Sequence, residues 1–479
     1  MTLRPHLAML LFFIVSMALL RALISPYFGL GVDEAHYLLY GVNLDLSYFD
    51  HPPLVGWTQA IFSSIFGINE FSARVGAILI GAICSIFVYF WLIKIFNSSK
   101  IALVGAVALN ASFMFSALFV MFMPETLLFL LIIPILYIAL EIEKHNKIRD
   151  WVLLGVLLGA AGLSKYTAFL FVIALIIYFL LKRRFDLFIN IKLLLAISIS
   201  SLMILPIIIW NIDHDWISFA FQSSHVGGKD EFRVDFLAES LAVQFGAYSP
   251  FLAPLAYYGL YKSFRSPNNP ALLISAIFGS VLMLFFTYNS AFAVALPHWS
   301  ALFYMLFIPI GVGFLMQSGK TGTKYVYGAV ALSLLIVLLL YAELRFKFLP
   351  FKPYHSLHRD LYGWDQITKE ADALILDPST EALAVANWSL ASRAIYYARA
   401  YSFQTYLIDD RYDQFDIWQE GSPLDKDLLF ISTHDFNIDI SKKMNCSSTK
   451  LAKKFDIMLN STQVNTIELI WCRDFGGKK

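Results

Sequence analysis

The sequence predicts a polytopic α-helical membrane protein that ends in a small α/β domain. Of its 479 residues, 58% are hydrophobic and only 15% are charged, whereas soluble domains carry about 25% charged residues. The apolar residues form long runs up to about residue 343, and a more polar segment follows. The net charge of +1 creates no basic field, which argues against a nucleic-acid-binding function.

Apolar runs long enough to cross a bilayer, or nearly so, define the helical part. A crossing needs about 20 apolar residues. Such runs begin close to residues 7, 72, 101, 124, 151, 167, 190, 246, 270, 299 and 324, which predicts about 11 crossings. No small-residue cleavage site follows the first run, so we interpret it as a membrane helix and not as a removed signal peptide.

Lys and Arg in the connections predict the orientation of these helices. With the N-terminus inside, the connections on the inner side hold roughly twice as many Lys and Arg as those on the outer side. An odd number of crossings then leaves the polar end of the chain outside. We therefore expect a transmembrane domain over residues 1–345 with its first outer loop at 26–70, a linker at 346–364, and an extracytoplasmic α/β domain at 365–479.

The outer loop at residues 31–57 holds an unusual number of titratable groups for a membrane protein. Asp33 and Glu34 come early in it, and Asp50 and His51 follow after about 17 residues. Asp33 and Glu34 have a plain structural alternative, because acidic residues are typical of the first turn of a helix lying at the interface. His51 alone is more typical of a structural histidine. Their presence together in one loop favours a site.

Further polar residues also fall on the predicted outer side. Glu125 and Lys165 occupy connections almost too short to reach bulk water, so Lys165 is expected at membrane depth, where a cation needs an anionic partner. The alternatives are a Lys that extends to the headgroups, or a simple pair with Glu125. Arg74 opens a helix and is either a headgroup anchor or part of the site.

The segment around residues 210–216 gives a weaker signal. Asp213, His214 and Asp215 resemble a metal-binding DxD pattern, but a three-residue pattern recurs by chance, and no nucleotide-binding fold surrounds it. Trp299 and the tryptophans at 210 and 216 are more typical of an interfacial belt than of a binding site. No metal-binding motif is present, and a divalent metal stays open without support from any residue.

A carboxylate beside a cation at the outer boundary of a bilayer suits one kind of chemistry. No nucleotides are available outside the cell, so an enzyme there takes its activated group from a lipid carrier. A cation binds the phosphate of such a carrier, and a carboxylate accepts a proton from the attacking nucleophile.

Several motifs also resemble those of the GT-C class of membrane glycosyltransferases, in the branch related to dolichyl-phosphate-mannose protein mannosyltransferases and lipid A aminoarabinose transferases. The motifs are VDEAHY at residues 32–37, SYFDHPP at 47–53, FSARV at 71–75, LSKYT at 163–167, WN at 210–211 with HDW at 214–216, and LPHW at 296–299. There are two departures. The sequence MPE at 123–125 stands where the family usually has TPD. Around residues 288–290, where the family often has Lys or Arg, this chain has neither.

The resemblance implies a polytopic GT-C fold and an inverting transfer of a hexosyl or pentosyl group from a polyprenyl-monophosphate donor to an acceptor hydroxyl or similar group. It implies catalytic roles for Asp33, the general base, and Glu34. The residues implied for the donor phosphate are Lys165, Arg74, His51 and His298. The residues implied for the sugar or acceptor are Asp50, Glu125, Tyr166, His214, Asp215 and Trp299. No cofactor is required, and the site is expected at the periplasmic side of the bacterial cytoplasmic membrane.

Some alternatives stay open. A transporter or flippase of a lipid-linked sugar is the second reading, although transporters place polar residues near the middle of the membrane and often have repeated halves. The acceptor is an envelope lipid, a glycan or a protein, and the sugar is not identified. Cys446 and Cys472 either pair or are unrelated thiols. In the C-terminal part, residues 373–376, 405–409, 427–433 and 467–472 are predicted as strands and 381–400 as a helix.

Overall fold

A computed structural model describes residues 3–226, 231–352 and 356–479. The linker predicted at 346–364 is therefore described only in part, because residues 353–355 lie outside these ranges. Helices account for the structure up to residue 346. They are α1 (Leu3–Ile24), α2 (Val32–Val42), α3 (Leu54–Phe66), α4 (Glu70–Phe96), α5 (Ser99–Ala111), α6 (Phe113–Leu118), α7 (Pro124–His145), α8 (Ile148–Ser164), α9 (Phe169–Leu181), α10 (Ile191–Asp213), α11 (Ile217–Val226), α12 (Val234–Ala247), α13 (Ala253–Phe264), α14 (Pro270–Ser290), α15 (Ala301–Gln317) and α16 (Lys320–Phe346).

The membrane-spanning part is multi-pass. Within the described ranges, 7 helical segments are long and apolar enough to cross a bilayer, and they correspond to α1, α4, α7, α10, α14, α15 and α16. Shorter apolar helices include α3, α5 and α9. The count of about 11 crossings is not confirmed. The run predicted to begin near residue 246 is divided, because α12 ends at Ala247 and α13 begins at Ala253.

The first predicted outer loop, residues 26–70, folds into the two helices α2 and α3 packed against each other. Gly41 on α2 makes this close contact possible, since a Cβ there would lie 2.7 Å from Cβ of Gln59 on α3. The segment between the two helices returns to α2 through Tyr48, whose ring stacks on Tyr40 at 3.7 Å and whose hydroxyl donates to the Tyr40 carbonyl at 2.7 Å. The loop is thus an ordered part of the helical domain.

The C-terminal domain is built on a five-stranded mixed sheet with the strand order β2-β1-β3-β5-β4. Strands β2, β1 and β3 are parallel, and β5 and β4 continue the sheet in antiparallel orientation. The strands are β1 (Glu381–Val385), β2 (Thr405–Leu407), β3 (Asp427–Thr433), β4 (Ser448–Leu459) and β5 (Thr462–Arg473). Its helices are α17 (Trp364–Asp372), α18 (Trp388–Ala398), α19 (Gln414–Trp418) and α20 (Ile440–Lys443).

Two expectations for this domain were wrong. The helix predicted over 381–400 divides into β1 and α18, because residues 382–385 are buried inside the sheet, where parallel strands read as continuous apolar runs. The strand predicted at 373–376 is absent, and that segment is the irregular exit of α17. Cys446 and Cys472, left open above, form a disulfide that joins the entry of β4 to β5.

The C-terminal domain rests directly on the first-loop helices. The hydroxyl of Ser392 on α18 donates to the Val32 carbonyl at 3.0 Å. The side chain of Gln414 accepts from the Phe49 amide at 2.7 Å. These bonds join the end of the helical domain that carries α2 to the soluble domain, and the functional residues lie at this junction.

Candidate active site

A cavity of about 300 Å³ opens where the membrane helices, the first loop and the C-terminal domain meet. Its charged and polar lining comes from sequence-distant segments. The lining includes Asp33, Tyr37, Asp50, His51, Glu125, Lys165, Tyr166, Thr167, Gln222, Asn289, His298, Trp299, Trp388 and Arg411. Eight of the twelve residues predicted for the site therefore line one cavity: Asp33, Asp50, His51, Glu125, Lys165, Tyr166, His298 and Trp299.

Asp33 lies in the first turn of α2, where the helix dipole favours negative charge. None of the described residues donates a hydrogen bond to its carboxylate, which faces the cavity. Burial raises the pKa of Asp33, the neighbouring His298 and His36 oppose that rise, and the nearby Glu125 carboxylate adds to it. A partnerless carboxylate with a raised pKa is suited to accept a proton.

Lys165, Glu125 and His298 form a second charged group in the cavity. Lys165 follows the end of α8, and its Nζ bonds to Oε1 of Glu125 in the first turn of α7. Nε2 of His298 lies 3.6 Å from the same oxygen. The Lys165 side chain keeps 14% of its surface exposed, so it is paired and still open to the cavity. Lys165 thus has the anionic partner expected of a cation at this depth.

Asp50 lies between two histidines. Its Oδ1 is 3.4 Å from Nε2 of His36, its Oδ2 is 3.2 Å from Nδ1 of His51, and the Tyr40 hydroxyl donates to Oδ1. Burial raises the pKa of Asp50, but His36 and His51 outweigh that effect and hold it well below 3.8. Asp50 and Asp33 therefore line the same cavity but have pKa values shifted in opposite directions.

The structure gives Arg74 and Glu34 a role different from the predicted one. Arg74 is fully buried, and Glu34 is 1% exposed. Nε of Arg74 donates to Oε1 of Glu34 at 2.7 Å, and Nη2 donates to Oε2 at 2.9 Å. The remaining donors go to the carbonyls of Ser25, Phe28 and Gly29.

All five N–H donors of Arg74 are thus engaged. Glu34 is engaged as well, since its Oε2 also accepts from the Gly31 amide at 2.9 Å. Neither residue lines the cavity. A phosphate-binding Arg74 and a catalytic Glu34 do not fit this geometry, because the two residues form a buried pair that fixes the start of α2 and thereby the position of Asp33.

His214 and Asp215 also lie outside the cavity lining. The His214 ring stacks on Trp210 at 3.8 Å, and its Nδ1 contacts the Trp210 carbonyl at 2.8 Å. Trp210 in turn donates from Nε1 to Oδ2 of Asp45 in the first loop at 2.8 Å. Asp215 is exposed at a turn with a φ of 53°. This motif therefore attaches α10 to the first loop and does not contact the cavity.

Two residues that line the cavity from the C-terminal domain were not anticipated from the sequence. Trp388 at the start of α18 and Arg411 after β2 both come from the C-terminal domain and line the cavity. The Trp388 ring lies 5.3 Å from His36 on α2. Spacing along the chain does not reveal which loop of a soluble domain reaches a membrane site.

A second, apolar cavity of about 540 Å³ lies among α8, α9 and α10. Its wall consists mainly of Leu, Ile, Val and Phe side chains. Tyr166 lines both this cavity and the polar one. An apolar chain lying in the second cavity would therefore end beside the charged residues of the first. Within the described residues, no three His, Cys, Asp or Glu side chains are grouped as metal ligands.

Comparisons with known proteins show which proteins this chain is similar to. Residues 50–210 match the family model described as dolichyl-phosphate-mannose-protein mannosyltransferase. The chain is 22% identical over 396 residues to the lipid A galacturonosyltransferase RgtD of Rhizobium johnstonii, covering 78% of this chain and 79% of the relative. The chain is thus similar in sequence to membrane glycosyltransferases.

Solved structures share the fold of this chain. ArnT from Cupriavidus metallidurans, bound to undecaprenyl phosphate, shares the fold with a TM-score of 0.65 at 15% identity, over 96% of this chain and 97% of that chain. The oligosaccharyltransferase of Archaeoglobus fulgidus matches with a TM-score of 0.51 at 12% identity, over 82% of this chain and 62% of that one. The predicted GT-C fold with a C-terminal α/β domain is confirmed, and ArnT shares it over nearly the whole length of the chain.

Proposed function

We propose that this protein is an inverting glycosyltransferase that moves a sugar from a polyprenyl-monophosphate donor to a hydroxyl or similar group of a lipid acceptor. The observation that carries the proposal is that one cavity holds a partly exposed Lys165 and the Asp33 carboxylate, which accepts no hydrogen bond from the described residues. The names of the relatives support it, since one acts on lipid A and another binds undecaprenyl phosphate.

The reaction needs one bond to form and one to break at the anomeric carbon. The acceptor oxygen attacks that carbon while Asp33 takes its proton, and the bond from the carbon to the phosphate oxygen breaks with its electron pair staying on the phosphate. Lys165 stabilises the negative charge of the departing polyprenyl phosphate, with His298 and His51 nearby. Water and metal are not needed as reactants, so no cofactor is part of the proposal.

The apolar cavity among α8, α9 and α10 would hold the polyprenyl chain. Its apolar wall suits an isoprenoid, and Tyr166 marks where the chain would meet the polar cavity. Asp50, Tyr166 and Trp299 would then surround the sugar or the acceptor group from the same wall as the base.

We further propose that the site faces the periplasmic side of a bacterial cytoplasmic membrane. The excess of Lys and Arg in the opposite connections supports this orientation. The Cys446–Cys472 disulfide supports it independently, because disulfides persist in oxidising compartments such as the periplasm.

The test is a donor screen on purified protein in lipid nanodiscs. Defined polyprenyl-phosphate sugars are incubated with a lipid extract of a bacterial envelope, and release of polyprenyl phosphate is measured. We expect one donor to be consumed by the wild-type protein and not by an Asp33→Asn control. If no donor is consumed while lipid-linked sugar crosses the bilayer of protein-containing vesicles, the transporter reading replaces this one.

A further inference from the structure

Arg411 is a cation in the cavity wall that the reaction described above does not use. It lies in the loop between β2 and α19, its side chain is exposed, and it lines the cavity. Among the described residues no carboxylate lies within 4.0 Å of its guanidinium. The other cavity cation, Lys165, is bonded to Glu125. A guanidinium without a counter-ion at the edge of a binding cavity is suited to an anionic ligand.

Aromatic side chains on two different elements hold this guanidinium. Its central carbon lies 5.0 Å from the centroid of the Phe221 ring on α11 and 5.7 Å from that of Trp388 on α18. Cation–π contacts of this kind position an Arg while leaving its N–H donors available. The loop itself is fixed to the first loop, because Gln414 accepts a hydrogen bond from the Phe49 amide. Arg411 is therefore placed by both domains.

The acidic residues in the loop of Arg411 form no ion pair with it, and Asp410 pairs with Lys478 instead. Asp409 accepts a bond from the Arg411 backbone amide at 3.3 Å, and Asp413 accepts one from the Phe415 amide at 2.8 Å. Both carboxylates feel the Arg411 charge without forming an ion pair with it. The charge of Arg411 thus remains available to a bound molecule.

The neighbours of Arg411 indicate which substrate it serves. Trp388, beside Arg411, also contacts His36, which lies one turn after Asp33 on α2. Trp388 thus connects Arg411 to α2, the helix that carries the proposed base. In an inverting transfer the acceptor approaches from the side of the base, and the phosphate leaves from the opposite face of the sugar. Lys165, by contrast, follows the membrane helix α8, and the next residue, Tyr166, lines the apolar cavity.

We propose that Arg411 binds an anionic group of the lipid acceptor and orients that lipid towards Asp33. This inference rests on the proposed glycosyl transfer. It adds that the acceptor is a negatively charged amphiphile, recognised through a group with two oxygens, such as a phosphate, which a guanidinium binds with paired hydrogen bonds. It also gives the C-terminal domain a part in substrate binding.

The test measures lipid binding, which does not require turnover. The probes are lipid A carrying its two phosphates, dephosphorylated lipid A and undecaprenyl phosphate, each titrated against detergent-purified protein. The variants are Arg411→Ala, Arg411→Lys and, as a control, Lys450→Ala, which removes an exposed cation from β4 of the same domain. Because Arg411 is exposed, its variants are expected to fold, and thermal unfolding checks this.

We expect Arg411→Ala to weaken binding of phosphorylated lipid A by about tenfold or more, the usual size of a lost charge-assisted pair. Arg411→Lys should recover part of that loss, and Lys450→Ala should bind like the wild type. Undecaprenyl phosphate and dephosphorylated lipid A should bind all variants equally.

The inference is overturned if Arg411→Ala leaves lipid A binding unchanged, or if the wild type does not prefer the phosphorylated form. A loss confined to undecaprenyl phosphate also overturns it, because the guanidinium would then serve the donor. A wild-type protein that shows the expected lipid binding but consumes no donor refutes the proposed transfer instead, so the two failures are distinguishable.

Discussion

Replacing Arg74 with Met separates the structural role of this residue from a phosphate-binding role. The change removes a fully buried guanidinium, leaving the Glu34 carboxylate buried without its cation and three backbone carbonyls without a donor. Losing one partner of a buried ion pair costs about 3–5 kcal/mol of folding stability. Glu34→Gln keeps the three carbonyl bonds and one acceptor oxygen, so it should cost less, about 1–3 kcal/mol.

The free energy of unfolding is measured by SDS titration of purified protein in mixed detergent micelles. The control is Lys94→Met, which removes an exposed cation from the same helix, α4, and should change stability by no more than about 0.5 kcal/mol. Binding of undecaprenyl phosphate is measured on the folded fraction of each variant. If Arg74→Met were as stable as the wild type but bound undecaprenyl phosphate much more weakly, the phosphate-binding role of Arg74 would be right and its structural role would be refuted.

Three further predictions address the charged residues. Lys165→Met should weaken binding of undecaprenyl phosphate by about 10–100-fold, because one charged contact is lost and Glu125 is left to repel the phosphate; unchanged affinity in a titration would contradict this. Since burial raises the pKa of Asp33 and a base acts only when deprotonated, kcat/KM should fall on acidification at a pH above the ordinary aspartate value of about 3.9. The acidic fall in kcat should occur at a still higher pH, because the negative charge of the bound donor phosphate raises the pKa of Asp33 further. If kcat and kcat/KM fell at the same pH, the result would count against Asp33 as the base. Burial also raises the pKa of Asp413 to about 6, so its carboxylate is charged at pH 7.5 and this buried charge disfavours folding. Asp413→Asn keeps an oxygen for the Phe415 amide and removes the charge. The substitution should therefore raise the unfolding temperature at pH 7.5, and the gain should shrink towards pH 5.

Much of the membrane site was predictable because membrane topology limits where residues can meet. Asp33, Glu125, Lys165 and His298 all fall at helix ends or loops on one predicted face, and the structure brings them to one cavity. Hydropathy indicates which helix ends lie on the same side of the membrane. An ionisable residue in a short connection between membrane helices then indicates a functional site.

The partners of each charge were not predictable in the same way. Glu34 and Arg74 are 40 residues apart, and either could have faced the cavity. The two residues pair because backbone carbonyls of the segment 25–29 surround Arg74 and hold it next to Glu34. The spacing of residues along the chain does not reveal this arrangement. Arg411 was missed for a related reason, since its position follows from how the soluble domain docks on the first loop.

The error at 381–400 has a local cause. Glu381, Ala382, Leu383 and Ala384 are good helix formers in isolation, yet they form β1 between two parallel neighbours. Because both faces of the sheet are covered, the side chains that follow Glu381 in this strand are buried, and that burial overrides the helical preference. A short apolar run in a sequence does not distinguish a buried strand from a helix.

The most direct test of the central claim is the transfer rate of Asp33→Asn in a single turnover, measured with the donor that the screen identifies and compared with donor binding. We expect the rate to fall by about 10²–10⁴-fold, the usual contribution of a general base. Undecaprenyl phosphate should bind at least as tightly as it does to the wild type, because Asp33 donates nothing to the phosphate and its negative charge repels it. A rate close to that of the wild type would contradict the assignment of Asp33 as the base on which the account depends.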